Sequence, residues 1–322
     1  MAEIYIPTKK ERRLLSCIDF DCRTSDAEIG RRIGVSKQGV SYLLRKLEAR
    51  KVIKQYYPVI NIMNLGCNYT RFFVKFRDAK SSDFKAATAW LDRNKVWYLR
   101  TDGAYDFLCA AWSYTYDEFK EKTDAFYGRF SSKIKDKRES LCIELRQFKN
   151  RWLFDDGNTE EILMKPSAVF EPDETDRNIL RALEKDARSP LVQIAARAKC
   201  SPPTAAARIG QMEKAQVILG YRPSLNLPLL GYSYYKVFFY FNSFKKSDVS
   251  KFLSFLSEQA AVTYMQKEIG RSDLDVEMAL PSNQDFFSFM REISYAFPGL
   301  VKEYEFLIVE RESNVSYLPS GF

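Results

Sequence analysis

Along the chain the hydrophobic period changes from helical to alternating, and it does so twice. Leu14, Leu15 and Ile18 fall at helical spacing, and Thr24-Ser25 followed by Glu28 reads as a cap and capping box opening a second short helix that stops near Gly34. Ser36 then caps a third helix with Val40, Leu43, Leu44 and Leu47 on one face. The run Val52 to Ile62, β-branched and aromatic around Pro58, predicts a small β-wing. Three short helices and a wing make a winged helix-turn-helix.

From Tyr69 the pattern becomes strand (69–77), helix (82–94, with Phe84, Ala87 and Leu91 inward), and strands at 96–101 and 105–112. A helix with Phe119, Thr123, Phe126, Tyr127 and Phe130 on one face and a closing strand at 141–148 complete a βαββαβ order, the ferredoxin-like split motif. The aromatic stripes read as core.

The same succession recurs downstream. With an offset of 176 − 11 = 165, residues 11–76 align without a gap on 176–241, and 18 of the 66 positions are identical, among them Asp21/Asp186, Arg23/Arg188, Ser36/Ser201, Glu48/Glu213 and Asn61/Asn226. Later the offset becomes 167, setting Gly103 and Asp106 on Gly270 and Asp273. An internal repeat decides the fold before any other feature does. The expected fold is therefore α+β, a tandem repeat of a winged helix-turn-helix followed by a βαββαβ ferredoxin-like (ACT/RAM-like) domain. Its expected units are 1–62, 63–150, a linker at 151–171 rich in Asp, Gly, Asn and Pro, 172–228, and 229–322.

The copies differ where contact with a partner is expected. The outward face of the first recognition helix carries Lys37, Gln38, Ser41, Tyr42 and Arg45, with Lys46, Arg50 and Lys51 toward its end, groups that reach base edges and phosphates. Any soluble amphipathic helix also shows a polar outer face. In the second copy the outward positions are Pro202, Pro203, Ala206, Ala207 and Gly210, and Arg208 lends its aliphatic stem to the buried stripe. Hydrogen-bonding capacity is largely lost there, and Gly210 implies either close packing or a relaxed constraint.

Between the central strands stand Asp102, Gly103, Tyr105 and Asp106 in one copy and Gly270, Arg271 and Asp273 in the other. A glycine there most simply serves a tight turn; the alternative is a loop lining a small-molecule site between two such sheets. Asp273, Asp275 and Glu277 alternate with apolar residues, giving a strand with one acidic face that is solvated, meets basic residues, or binds an amino group; solvation is the simplest expectation.

Composition narrows the function. The net charge is +8 and the pI about 9.0, which favours polyanionic partners. There is no histidine, removing His-based triads and general bases and most zinc or haem ligation. The six cysteines are scattered without a Cys-x-x-Cys pair, so no metal site, cofactor or disulfide framework is expected. Neither a membrane span nor a signal peptide is visible, and the expected location is cytoplasmic.

The run Ile29-Gly30-Arg31-Arg32-Ile33-Gly34-Val35-Ser36, continued by Val40, Leu47, Glu48, Val52 and Ile53, resembles the Lrp/AsnC family of prokaryotic transcription regulators, particularly its archaeal members. The second copy resembles it through Ile194-Ala195, Ser201, Arg208-Ile209, Glu213 and Val217-Ile218. Leu43 departs from the arginine usual in the recognition helix, and Lys51 and Gln216 from the glycine usual before Val-Ile. The resemblance implies double-stranded DNA as partner, with Lys37, Gln38, Ser41, Tyr42, Arg45, Lys46, Arg50 and Arg208 as contacts. It also implies pairing through the βαββαβ domains, as a homodimer or an internal pseudo-dimer, and an effector such as an amino acid. One reading helix per chain calls for two chains on a palindromic site, unless an internal pseudo-dimer reads an asymmetric one. Two alternatives stand beside the regulator: an enzyme, since siroheme decarboxylases are similar in architecture, and a protein-binding regulator with degenerate winged helices.

Overall fold

The computed structural model describes residues 3–154, 160–313, 318, 319 and 322. The first half runs α1 (Lys9–Ile18), α2 (Asp26–Ile33), α3 (Lys37–Ala49), β1 (Ile53–Ile60), β2 (Asn68–Phe76), α4 (Ser81–Arg93), β3 (Trp97–Gly103), β4 (Phe107–Ser113), α5 (Tyr116–Phe130) and β5 (Ile134–Phe148). After a short β6 (Glu161–Met164) the order repeats as α6 (Glu174–Lys185), α7 (Leu191–Ala198), α8 (Pro202–Lys214), β7 (Ile218–Leu225), β8 (Ser233–Phe241), α9 (Lys246–Glu258), β9 (Val262–Ile269), β10 (Leu274–Leu280), α10 (Asn283–Ala296) and β11 (Val301–Glu312).

Local chemistry explains the helix starts. Thr8 and Glu11 form a capping box on α1, as Asp173 and Asp176 do on α6. Ser25, Ser36 and Ser201 accept from the N–H groups of Glu28, Gly39 and Thr204. Gly34 ends α2 in the left-handed region at φ 72°.

The expected wing does not form within either unit. Each supplies one strand, β1 or β7, and the two pair antiparallel with each other, Tyr57 opposite Arg222. These positions are 165 apart, so this pair lies on an approximate dyad. Reciprocal contacts surround it. Cys22 N–H donates to the Tyr221 carbonyl and Ala187 N–H to that of Tyr56; Arg23 donates to the Ala187 and Ser189 carbonyls, Arg188 to those of Cys22 and Thr24. The tyrosine hydroxyls of 56 and 221 donate to Glu48 and Glu213. Both three-helix units and this ribbon share one core, including Leu14, Ile29, Val40, Ile179, Ile194 and Ala205.

The two βαββαβ sheets do not remain separate layers. Strand order β2-β4-β3-β11-β8-β10-β9-β5, with β5 returning to β2, closes an eight-stranded barrel, and β6 lies on β5. Helices α4 and α5 pack outside one half through Phe126 and Leu91, and α9 and α10 outside the other through Phe252 and Phe286. Closing strand β5 begins at Ile134, seven residues before the expected 141; residues 134–140 are mostly charged and about half of them exposed, so the hydrophobic pattern does not mark this part of the strand.

Glycines mark both sheet joints. Gly103 (φ 122°) lies where a Cβ would stand 2.5 Å from the Phe306 carbonyl oxygen, and Gly270 (φ 116°) where one would stand 2.7 Å from that of Glu139. The turn expectation is thus sharpened: these residues are required by the approach of the other half's last strand as well as by φ. Gly210 has open space around its Cβ position, which removes close packing as its reason. The expected linker is ordered at its ends: Arg151 donates to the Ser257 and Gln259 carbonyls, Leu153 and Phe154 are buried, and residues 161–164 form β6; Asp155 to Asn158 lie outside the described residues.

Candidate nucleic-acid interface and barrel cavity

On α3 and just beyond it, Lys37, Gln38, Tyr42, Arg45, Arg50 and Lys51 are exposed, Tyr42 at 62%. The buried stripe Val40, Leu44 and Leu47 turns these side chains outward, and none of the five charged or amide groups has an ion pair among the described residues. Three expected contacts are occupied within the protein instead. Lys46 pairs at 2.8 Å with the buried Glu11 of α1, whose carboxylate is lifted by burial but held below its ordinary range by Lys46 and the Thr8 N–H. Ser41 donates to Asp26. Arg208 reaches Asp173 at 2.8 Å and Asp176 at 3.4 Å. In each half, then, a basic residue of the third helix braces the first, from positions that are not equivalent. The outward face of α8 carries the exposed Pro203, Ala206 and Ala207.

The seven inter-strand loop residues do not gather around one opening. Asp106 accepts from the Phe76 N–H (2.7 Å) and from Lys75 (2.9 Å), and its counterpart Asp273 accepts from the Phe241 N–H (2.7 Å). Tyr105 is buried with its hydroxyl on Asp136 at 3.3 Å, while Asp102 is exposed. Arg271 lies across one end of the barrel, 3.7 Å over the Phe238 ring, donating to the Tyr240 hydroxyl and to Glu305, both at 2.6 Å. Together with Gly103 and Gly270 these groups build the two sheet joints. That structural role accounts for them without an effector.

The acidic strand is likewise not solvated. Asp275 and Glu277 point into the barrel, where the equivalent positions Arg71 and Lys236 meet them. Arg71 pairs with Glu268 and with Asp275 (2.5 Å) and donates to Gln266 (2.7 Å); Lys236 pairs with Asp275 (2.9 Å) and Glu277. Burial pushes Asp275 above its ordinary range, against the pull of Lys236 and Arg71; burial also acts on Glu268, which Arg71 nonetheless holds low. On one side of this charged layer Phe73, Leu99, Leu108, Phe238 and Leu307 fill the barrel.

On its other side a cavity of about 550 Å³ opens toward the ribbon. Tyr69, Trp97, Trp112, Tyr234 and Tyr264 wall it, Gln266 and Glu277 form its floor, and Lys54, Tyr57 and Arg222 of the ribbon cover it. Arg222 is engaged with Asp19 at 2.9 Å. None of the expected DNA-contacting or inter-strand loop residues lines this cavity; of the acidic strand, Glu277 does. Its walls are assembled from both halves across non-local strand pairs, so the local signals are limited to the acidic alternation that includes Glu277 and an aromatic enrichment that reads as core.

Comparison with known proteins follows the same division. Residues 173–213 match the model of the AsnC-type helix-turn-helix domain, and residues 7–54 that of a winged helix-turn-helix DNA-binding domain. A 62-residue stretch is 44% identical to the leucine-responsive regulatory protein of Rhizobium meliloti, covering 19% of this chain and 40% of that protein. Over the full length, the fold is similar to that of the siroheme decarboxylase NirDL, with TM-score 0.61 and 11% identity across 94% of this chain and 92% of that one. A second structure of NirDL, in complex with an iron-uroporphyrin III analogue, matches with TM-score 0.61 and 10% identity over the same shares. The likeness in sequence is thus confined to the two helix-turn-helix units, which are similar to AsnC-type and winged helix-turn-helix DNA-binding domains.

Proposed function

We propose that this chain is a sequence-specific DNA-binding transcription regulator of the Lrp/AsnC type, a duplicated unit folded as an internal pseudo-dimer, in which α3 reads the DNA and α8 supports it. The observation that carries this reading is the outward face of α3: exposed Lys37, Gln38, Tyr42, Arg45, Arg50 and Lys51 have no ion pair among the described residues, while the corresponding face of α8 is proline, alanine and glycine. Guanidinium and amide groups so placed suit base edges and phosphates, whereas alanine offers a thymine methyl at most. Lys46 and Arg208 are left to bracing the helix-turn-helix cores.

The test begins with selecting bound sequences from genomic fragments and measuring affinity by fluorescence anisotropy at fixed salt. Tyr42→Ala with Arg45→Ala is expected to abolish sequence preference, a loss of about 1–3 kcal/mol for each base contact removed. Arg208→Ala leaves preference intact. Equal losses overturn the asymmetry; salt-sensitive retention on DNA argues against the alternative of a protein-binding regulator, and absence of retention favours it.

The likeness of fold to NirDL supports a second reading, an enzyme acting on a tetrapyrrole. The cavity chemistry speaks against it: a polycarboxylate macrocycle would face Glu277 and Glu312, and Arg222 is already committed to Asp19. An absorbance scan of the purified protein decides, since a stoichiometric Soret band overturns the regulator reading.

A further inference from the structure

The barrel cavity is polar in a way its fold does not demand. With the 167 offset, Gln266, Glu268, Asp275, Glu277 and Glu312 correspond to Leu99, Thr101, Leu108, Ala110 and Leu145. The first half fills the same barrel positions mainly with aliphatic groups, so the carboxylates are a property of the second half alone.

Their surroundings select a ligand. Glu277 is held at the floor by Lys236, the Gln266 amide (2.9 Å) and the Tyr234 hydroxyl. Glu312 stands at the rim, where the Lys54 ammonium is 3.7 Å from its carboxylate, beyond a good hydrogen bond. Burial lifts the Glu312 carboxyl above its ordinary range, Lys54 only partly offsets this, and Glu277 adds repulsion of like sign. Around both carboxylates stand aromatic faces, with Tyr69 and Trp112 edge to face at 4.5 Å between ring centroids. Aromatic walls attract cations through the ring quadrupole, and a carboxylate among them adds a charge-assisted hydrogen bond. The volume suits a small ligand rather than a macromolecular segment.

We propose that the mouth of the barrel binds a small organic cation, a protonated amine carried on a flat apolar body, with Glu312 and Glu277 facing the nitrogen and Trp97, Trp112, Tyr69 and Tyr264 enclosing the body. Such a ligand touches the barrel and the ribbon together, through Tyr57 and Lys54, and so ties the strand that follows α3 to the barrel. The consequence for DNA rests on the regulator reading; the binding itself does not.

Calorimetry on the full chain with phenethylammonium, the neutral 2-phenylethanol and the anionic 3-phenylpropionate separates charge from shape. The cation is expected to bind about tenfold more tightly than either analogue, the size of one charge-assisted contact. Glu312→Gln removes that preference while leaving the alcohol unchanged, and Lys54→Met tightens the cation by releasing Glu312. Should Glu312→Gln fail to fold, the Lys54→Met arm decides. Equal binding of all three, preference for the anion, or no heat from the cation at any soluble concentration overturns the proposal. A parallel anisotropy titration on DNA keeps the two readings apart: binding of the cation by a protein that ignores DNA upholds the site and counts against the regulator.

Discussion

Arg71 and Lys236 occupy equivalent positions 165 residues apart, and both are buried to within 1% exposure. Two cations there are tolerated because Glu268, Asp275 and Glu277 surround them, and removing one partner leaves buried charge without compensation. Arg71→Met is expected to destabilise the fold by about 3–5 kcal/mol in urea denaturation. The pH dependence has a definite sign. Burial already holds Asp275 above its ordinary range and acts in the same sense on Glu268, so loss of the guanidinium is expected to make their ionisation oppose folding more strongly and the deficit to shrink as the pH falls. An unchanged deficit between neutral and acid pH would show that packing rather than charge is lost. The sequence displayed the acidic alternation of this strand plainly; it did not display Arg71 as the partner, because that contact spans about two hundred residues and exists only once the barrel closes. Residue-level strain was better marked. Lys51 (φ 60°) and Gln216 (φ 55°) adopt the left-handed conformation at positions where the resemblance to the Lrp/AsnC family leads to the expectation of glycine. Lys51→Gly and Gln216→Gly relieve strain of about 1 kcal/mol each, visible as a raised melting temperature.

At the scale of elements, helices were legible and strand pairings were not. Capping residues and the 3.6-residue period are local, so α2 opens after Ser25 and ends at Gly34, and α3 opens after Ser36, as expected. A wing was expected from Val52 to Ile62, and a strand does form there; its partner is the equivalent strand of the other half, which no local pattern announces. Gly103 and Gly270 show the same limit, since the turn was visible and the opposing strand was not. This contrast makes a test. Gly103→Ala or Gly270→Ala forces a Cβ against a carbonyl oxygen at positive φ and is expected to lower stability by about 2 kcal/mol or more. Gly210→Ala, within α8 and with open space around its Cβ, is expected to raise it by up to about 1 kcal/mol. Thermal melts of the three variants read both signs at once, and a destabilised Gly210→Ala would reveal a role for that glycine in an outside contact.

For the whole molecule, the dyad through Tyr57 and Arg222 determines how the proposed DNA contact is arranged. The reciprocal arginine contacts and the shared core hold α3 and α8 as the two members of one pair, as two chains would be held in a dimer. On the proposed reading a single chain would present both helices to DNA, with polar side chains suited to base edges on α3 alone. The expected complex is one chain on one duplex, with an asymmetric site: scrambling the half-site under α3 removes preference, and scrambling the other half costs little, because its sequence-independent phosphate contacts are kept. Sedimentation with labelled duplex gives the stoichiometry, and half-site scrambling in the anisotropy assay gives the asymmetry. Two chains on a palindrome, with equal losses from either half, would mean that pairing between chains rather than within one sets the reading frame, and that α8 lies away from the DNA.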